Sequence, residues 1–557
     1  MKSKKIAIVL LSLMMVLSVL AACSKNNNNT NTPSNTNQNS NNSSQPTAST
    51  NEANEGNEGS FQDYSNGFPE NVTIEIPVYD RAFEGWNVAD NYYTRWIQKE
   101  FGDKYNVTVK YVPISRSNEV QDFQQLLAAH KAPDIIFHYD MPQQIAYYSE
   151  GVLQPIDWAE IENYAPTYWG NLGDTIEQYG IINDEKIFFY ADRPSADNFV
   201  SLIRKDWVEK VGMKVEDLTS LEKYNEMLVK WKEAGLGVLG GTLTRNNFNY
   251  NYAFRDWPID AKDRALYSDL SIADFTSVAT ERWLKNLNYQ YNNGLIDREF
   301  YLRDDENKAK AEFVAGRTGT FGSYLTSNSD VIAATLANNP EAEFAVIPPY
   351  AGVPEGLKPQ GRAYWPFGFI MGINYETPEL ERIAIWMFLE WMSQPDNLFF
   401  LQNGVEGENY TIDSDGIAIR NADFAGESVL SLNNNKDYWA LVIETQLYDD
   451  PEINRKAQIR NWAPVGYEYL AEDLIKYYEE TAEFRTPDAL FTEVVETVSE
   501  YKADLNELFQ ELYIKVATAP EDQFDKLYEE AKQTYLDAGY QEILDEKQEI
   551  IDRGNFR

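Results

Sequence analysis

Among 557 residues there is one cysteine, Cys23, and there are two histidines, His130 and His138. A lone thiol excludes internal disulfides, so stability has to come from an ordinary apolar core, which 43% hydrophobic residues can supply. The two histidines are not at metal-binding spacing, which removes the helical zinc-hydrolase motifs. Neither a Gly-x-Ser-x-Gly elbow nor a phosphate-cradling Gly-Lys-Ser/Thr loop occurs. Basic side chains are scarce: 48 Lys and Arg stand against 88 Asp and Glu, a net charge of −40. So negative a surface repels nucleic acid and anionic lipid headgroups, and neither is expected as a partner. After Leu20 no apolar run reaches membrane-spanning length.

What is present begins at the N-terminus. Lys2, Lys4 and Lys5 precede an uncharged apolar run of 15 residues, Ile6 to Leu20, and Leu20-Ala21-Ala22-Cys23 closes it. A bilayer needs about 20 residues at ~1.5 Å each, so the run is an export signal, residues 1–22, and not a span. A cysteine directly after two small residues resembles the cut site of lipoprotein signal peptides, which implies that Cys23 receives lipid and that the chain is anchored on the outer face of the cell membrane in the Gram-positive manner. Two or three acyl chains hold a protein where one does not. Removing three lysines leaves 45 basic against 88 acidic groups, or −43. Residues 23–67 are then an Asn/Ser/Thr-rich tether too polar to offset its own ordering entropy. Its reach is roughly 35 Å for ~40 flexible residues.

Order is expected from Phe68. Val72, Ile74, Ile76 and Val78 alternate as in a strand, Val107, Val109 and Tyr111 repeat the pattern, and Ile135-Ile136-Phe137 reads as a third, buried strand. Helices separate them, one ending near Phe101 and one carrying Val120, Phe123 and Leu127, so the class is α/β with a parallel sheet. Thr219 and Glu222 predict a capping box before the stripe Leu221, Tyr224, Leu228 and Trp231. Trp283, Leu287 and Tyr291 predict another helix ending before Gly294, and Thr377-Pro378 opens one carrying Ile383, Trp386 and Leu389. From about Ala463 onward the chain reads as acidic amphipathic helices with a break at Thr486-Pro487.

Several segments are similar in order and spacing to the family 1 extracellular solute-binding proteins of carbohydrate ABC importers, in particular the large Gram-positive lipoproteins. They are Phe123–Ala129 leading into Pro133–Phe137, Gly151–Asp157, Arg204–Trp207, Tyr291–Asp297, Phe313–Arg317 and Asn403–Tyr410. The resemblance implies a type II periplasmic-binding-protein-like fold: two α/β lobes on a hinge, with a helical C-terminal extension. Lobe 1 would take residues 68–196 and 351–403, and lobe 2 residues 197–350 and 404–557. It also implies a monomer that closes over an oligosaccharide, performs no reaction, and delivers its ligand to the transmembrane subunits of an ABC permease.

A sugar offers apolar C–H faces and a belt of hydroxyls, so its site needs aromatic plates beside planar polar groups. Trp365 precedes the apolar run Phe369-Ile370-Met371, where a lobe-crossing strand would begin. Asp140 follows the third strand at its carboxyl end, where open α/β sheets bind ligands, and Trp86 with Arg81 follows the first. Tyr324, Trp257, Trp439 and Trp462 complete the candidate set. Its rival is a cell-surface glycoside hydrolase using paired carboxylates, for which 88 acids offer too many pairs to single one out. No cofactor is expected. An exported chain this acidic is compatible with a bound calcium ion, but the Asp413-Ser414-Asp415-Gly416 turn has Phe424 where an EF-hand needs Glu, and no site is named.

Overall fold

The computed structural model describes residues 61–82, 85–193, 199–237, 260–268, 272–302, 306–325, 329–363, 365–421, 423–430, 432–445, 448, 450–487 and 489–557. Cys23, the export signal, the tether up to Ser60 and Trp257 lie outside these residues.

Strands β1 (Val72–Asp80) and β2 (Val107–Ser115) pair in parallel, Val72 opposite Val107. The connecting helix starts at Asn91, whose side chain accepts from the Tyr93 and Thr94 amides while Thr94 bonds back, a reciprocal cap. Strand β3 (Ile135–His138) follows on the other side of β1, tied to it by the Asp134 amide, which donates to the Glu75 carbonyl at 2.9 Å. The strands fall into a parallel β1–β2 pair and a second sheet whose pairings are all antiparallel, not into one parallel sheet as the alternation suggests. Strands β4 (Phe189–Asp192) and β5 (Phe367–Asn374) join β3 in the second, β5 running antiparallel to both β3 and β4. A strand arriving from far along the chain leaves no local signal of its direction. Every residue of β5 is buried, as expected of a central strand covered on both faces. Helices α1 (Glu119–Ala128), α2 (Met141–Ser149) and α3 (Glu379–Ser393) flank these strands. Helices α1 and α3 match sequence periods, and α3 does follow Thr377-Pro378.

The helix at Leu221–Glu233 is capped one residue later than the sequence suggests. Ser220, not Thr219, accepts from the Lys223 amide at 3.3 Å, while Tyr224, Leu228 and Trp231 are buried as their stripe requires.

Among the described residues the apolar side chains form five clusters. The first, around β1 to β5, draws its fully buried residues from 64–191 and 365–443. The other four draw theirs from 200–351 and 462–551. These include a three-stranded antiparallel sheet of Phe199–Arg204 between Thr320–Tyr324 and Phe344–Val346, and the long C-terminal helices from Glu496 to Arg553. Where the chain passes from one set to the other, its segments run side by side. The Asp192 amide donates to the Val442 carbonyl at 2.9 Å, the Glu444 amide to Asp192 at 2.8 Å, and the Arg193 amide to Pro366 at 3.0 Å. Just beyond, Gly361–Ala363 pairs in parallel with Arg485–Pro487. Among the described residues no helix is long and apolar enough to cross a membrane.

Candidate functional site

The carboxyl ends of β1, β3 and β4 lie together, beside the start of β5 and the crossing segment 442–444. Their terminal side chains are polar and aromatic because the backbone leaves the sheet there and has no further strand to pack against. Tyr79 is fully buried, with its ring centroid 4.7 Å from that of Phe137, and Tyr139 stacks on Phe369 at 4.4 Å. Arg116 lies over both tyrosine rings, 4.9 Å from Tyr79 and 5.5 Å from Tyr139. Burial, reinforced by Glu119 for Tyr79 and by Glu444 and Asp437 for Tyr139, pushes both phenols well above their ordinary value. They remain neutral hydroxyls at any physiological pH.

Three ion pairs brace this edge. Arg81 gives Nε and Nη2 to the two carboxylate oxygens of Asp437, each at 2.9 Å, and the Asp437 side chain is 1% exposed. Burial pushes that carboxyl upward and the bidentate guanidinium opposes the shift. Arg193 donates from Nε to Glu444 at 2.8 Å. Burial would raise Glu444, but Arg193 and Lys436 outweigh it and hold the carboxyl below its ordinary value. A Cβ on Gly368 would sit 2.1 Å from the Glu444 carboxyl carbon, so only glycine leaves room for this pair. Arg116 reaches Glu119 at 3.1 Å, and Glu119 meets His138 Nε2 at 2.7 Å. Since His138 Nδ1 accepts from the Asp140 amide at 2.9 Å, Nε2 is the nitrogen that carries hydrogen toward Glu119.

The sequence candidates scatter over this frame. Arg81 and Asp140 stand at the edge, Asp140 as the residue before α2 with its carboxylate 74% exposed. Trp86 is half-buried against the first cluster beside the Tyr438 hydroxyl. Trp439 ends helix α4 (Leu432–Trp439), which also carries Asp437, and is buried in the same cluster. Trp365 is 8% exposed, stacked on Phe367 at 5.4 Å and met edge-on by Tyr179 at 5.2 Å. Trp462 is buried in the cluster around Phe313 and Phe344. Tyr324 ends its strand opposite Phe199, and its side chain lies outside the described set.

Sequence reasoning missed Tyr139, Arg116, Glu119, Arg193, Asp437 and Glu444. Tyr139 was legible as the neighbour of Asp140 after a buried strand. Asp437 and Glu444 were not, because a carboxylate in a polar helix or loop looks solvated until the arginine that meets it is placed.

Among the described residues no group of three or more His, Cys, Asp or Glu could hold a metal. The Asp413-Asp415 turn does not fit one: Asp413 and Asp415 are both bonded by Arg460, and Asp415 also lies 3.3 Å from Lys456. The turn's own protein supplies its cations.

The model of the bacterial extracellular solute-binding protein family matches residues 96–399, and the chain belongs to that family. It is thus an extracellular carrier of solute and not an enzyme. Solved structures share the two-lobe solute-binding fold. The alginate-binding protein AlgQ2 without calcium ion is 17% identical, covers 88% of this chain and 100% of its own, and has a TM-score of 0.56. The S. pneumoniae ABC-transporter substrate-binding protein FusA in complex with kestose is 16% identical over 86% and 99%, with a TM-score of 0.59. An HMO-binding, ABC-transporter-associated solute-binding protein from Bifidobacterium longum infantis is 13% identical over 87% and 99%, with a TM-score of 0.61. No curated protein sequence matches.

Proposed function

We propose that this protein is the lipid-anchored receptor of an ABC importer, capturing an oligosaccharide between its lobes and handing it unchanged to the permease. The observation that carries this reading is the braced edge at the carboxyl ends of β1 and β3: the half-buried Tyr139 ring, with Arg116 over it and Asp140 and Arg81 nearby, beside the crossing segments. Apolar plates next to fixed planar polar groups suit a carbohydrate's two kinds of surface. Three fold neighbours named for alginate, kestose and HMO add support, although they share only the fold.

On this reading one lobe is built on residues 61–193 and 365–443, the other on 200–351 and 457–557, and the segments between form the hinge. Tyr139, Asp140, Arg81 and Trp86 belong to the sugar edge, while Trp365, Trp439 and Trp462 pack the lobes. A ligand touching both lobes selects the closed form, which the permease then reads. Cys23 carries the anchor. The molecule works as a monomer.

A thermal-shift and calorimetric screen of the mature chain tests this, using oligosaccharides with amino acids and peptides as controls. An oligosaccharide at one hundred times its Kd should stabilise the protein by about 2.7 kcal/mol. Absence of any oligosaccharide response, or the appearance of shortened glycans, overturns the assignment. Cys23→Ala should move the protein from the membrane fraction to the medium, and retention would show that the anchor lies elsewhere.

A further inference from the structure

Resting on that reading and naming its substrate class, we infer that the ligand is an uncharged, hydroxyl-rich oligosaccharide, and that chains of uronic acids are rejected. A uronate needs an unspent cation, ideally a guanidinium, whose planar fork matches a carboxylate. Every described arginine at the edge already faces one of the protein's own acids.

Arg81 uses Nε and Nη2 on Asp437. To release them would strand a carboxylate that is 1% exposed, a cost that a sugar carboxylate at the rim could not offset. Arg193 is held by Glu444, itself 9% exposed, and Gly368 makes the room that keeps it there. Arg116 is sandwiched with the two tyrosine rings and 3.1 Å from Glu119, which is 11% exposed.

The local charges also balance. Arg81, Arg116, Arg193 and Lys436 supply four positive charges, and Asp437, Glu444, Glu119 and Asp140 supply four negative ones. Asp80 and Asp192, at the ends of β1 and β4, add only negative charge. Beyond the edge the chain as a whole carries −40, so an approaching polyanion meets repulsion before contact and no compensation after it. The groups left uncommitted, Asp140 above all, accept hydrogen bonds from hydroxyls.

Calorimetry on the full mature chain at physiological salt decides the matter. Neutral tetramers of the malto-, manno-, xylo-, galacto- and fructo- series would be titrated beside tetragalacturonate, tetramannuronate and tetraguluronate. The expected result is that at least one neutral tetramer binds and that every uronate is weaker than the best of them by more than tenfold. A uronate within tenfold of the best neutral ligand, or tighter, overturns the inference while leaving the oligosaccharide reading intact. Binding by neither set overturns that reading and the inference together. Glu444→Gln, confirmed folded by its melting curve, should raise the ratio of tetragalacturonate to neutral affinity at least tenfold by removing the acid that Arg193 Nε meets. Should that variant not fold, Glu119→Gln makes the same test through Arg116, and an unchanged ratio in a folded variant counts against the pairing as the source of selectivity.

Discussion

The two ends of the central strands handle buried charge in opposite ways. At the carboxyl end three buried acids each meet a guanidinium: Asp437 with Arg81, Glu444 with Arg193, Glu119 with Arg116. At the amino end acids meet one another. Asp134, 7% exposed, accepts from the Glu75 amide at 2.7 Å and from Thr377 at 2.9 Å, and it faces Glu381. Burial first, then Asp134 and Glu75, push Glu381 up to about 7, with only Lys110, 3.7 Å from Glu75, to oppose them. One end is held by fixed ions and keeps its geometry at neutral pH, while the other relies on a proton. A surface meant to receive a ligand needs the first arrangement, because donors must be in place before the ligand arrives.

Substitutions at the two ends should separate this way. The largest effect is expected for Asp437→Ala, which strands Arg81 and should cost about 3–5 kcal/mol in urea unfolding. The double replacement Arg81→Met with Asp437→Leu should cost far less, and equal losses would mean that volume matters there and not charge.

Next comes Tyr139→Ala, which removes the half-buried plate between Phe369 and Arg116. Its affinity for the best neutral tetramer should fall by about 1–2 kcal/mol, a factor of roughly 5–30. Unchanged calorimetric affinity would move the sugar away from this edge.

At the amino end the sign reverses. Glu381 rises from an ordinary value of 4.5 to about 7 in the fold, so between those limits the native state keeps a proton that the unfolded chain gives up. Stability therefore falls as pH rises through that window and the full penalty is present above it. Glu381→Gln should stabilise by about 1 kcal/mol at pH 8, allowing for screening at this partly exposed position, and by nothing at pH 4.5. A stabilisation independent of pH would point to packing instead.

The smallest effect is expected where ions pair in water. Arg460, about a third exposed between Asp413 and Asp415, should lose no more than about 1 kcal/mol on Arg460→Gln, and the loss should shrink in high salt. A larger, salt-insensitive loss would make that turn resemble the braced edge.

Much of the architecture was legible because it is local. The period of two in Val72–Val78, the stripe Tyr224, Leu228 and Trp231 and the Pro378 start of α3 depend on neighbours within a few residues, and the structure keeps all three. The site was less legible. Asp140 and Arg81 could be placed by the rule that ligands gather at strand carboxyl ends, but the tryptophans Trp365, Trp439 and Trp462 drew attention by size and are buried. A large aromatic ring gains most by leaving water, so without coordinates an indole in a polar stretch gives no sign of which side it faces.

Composition by itself determined that the chain has no disulfide, repels polyanions and consists of alternating strands and helices, since these follow from counts and short-range periods. Only the tertiary structure decided that β5 enters antiparallel between β3 and β4, and that acids from positions 437 and 444 meet arginines from 81 and 193. Charge compensation depends on distances of about 3 Å between groups hundreds of residues apart, and separation along the chain carries no record of them.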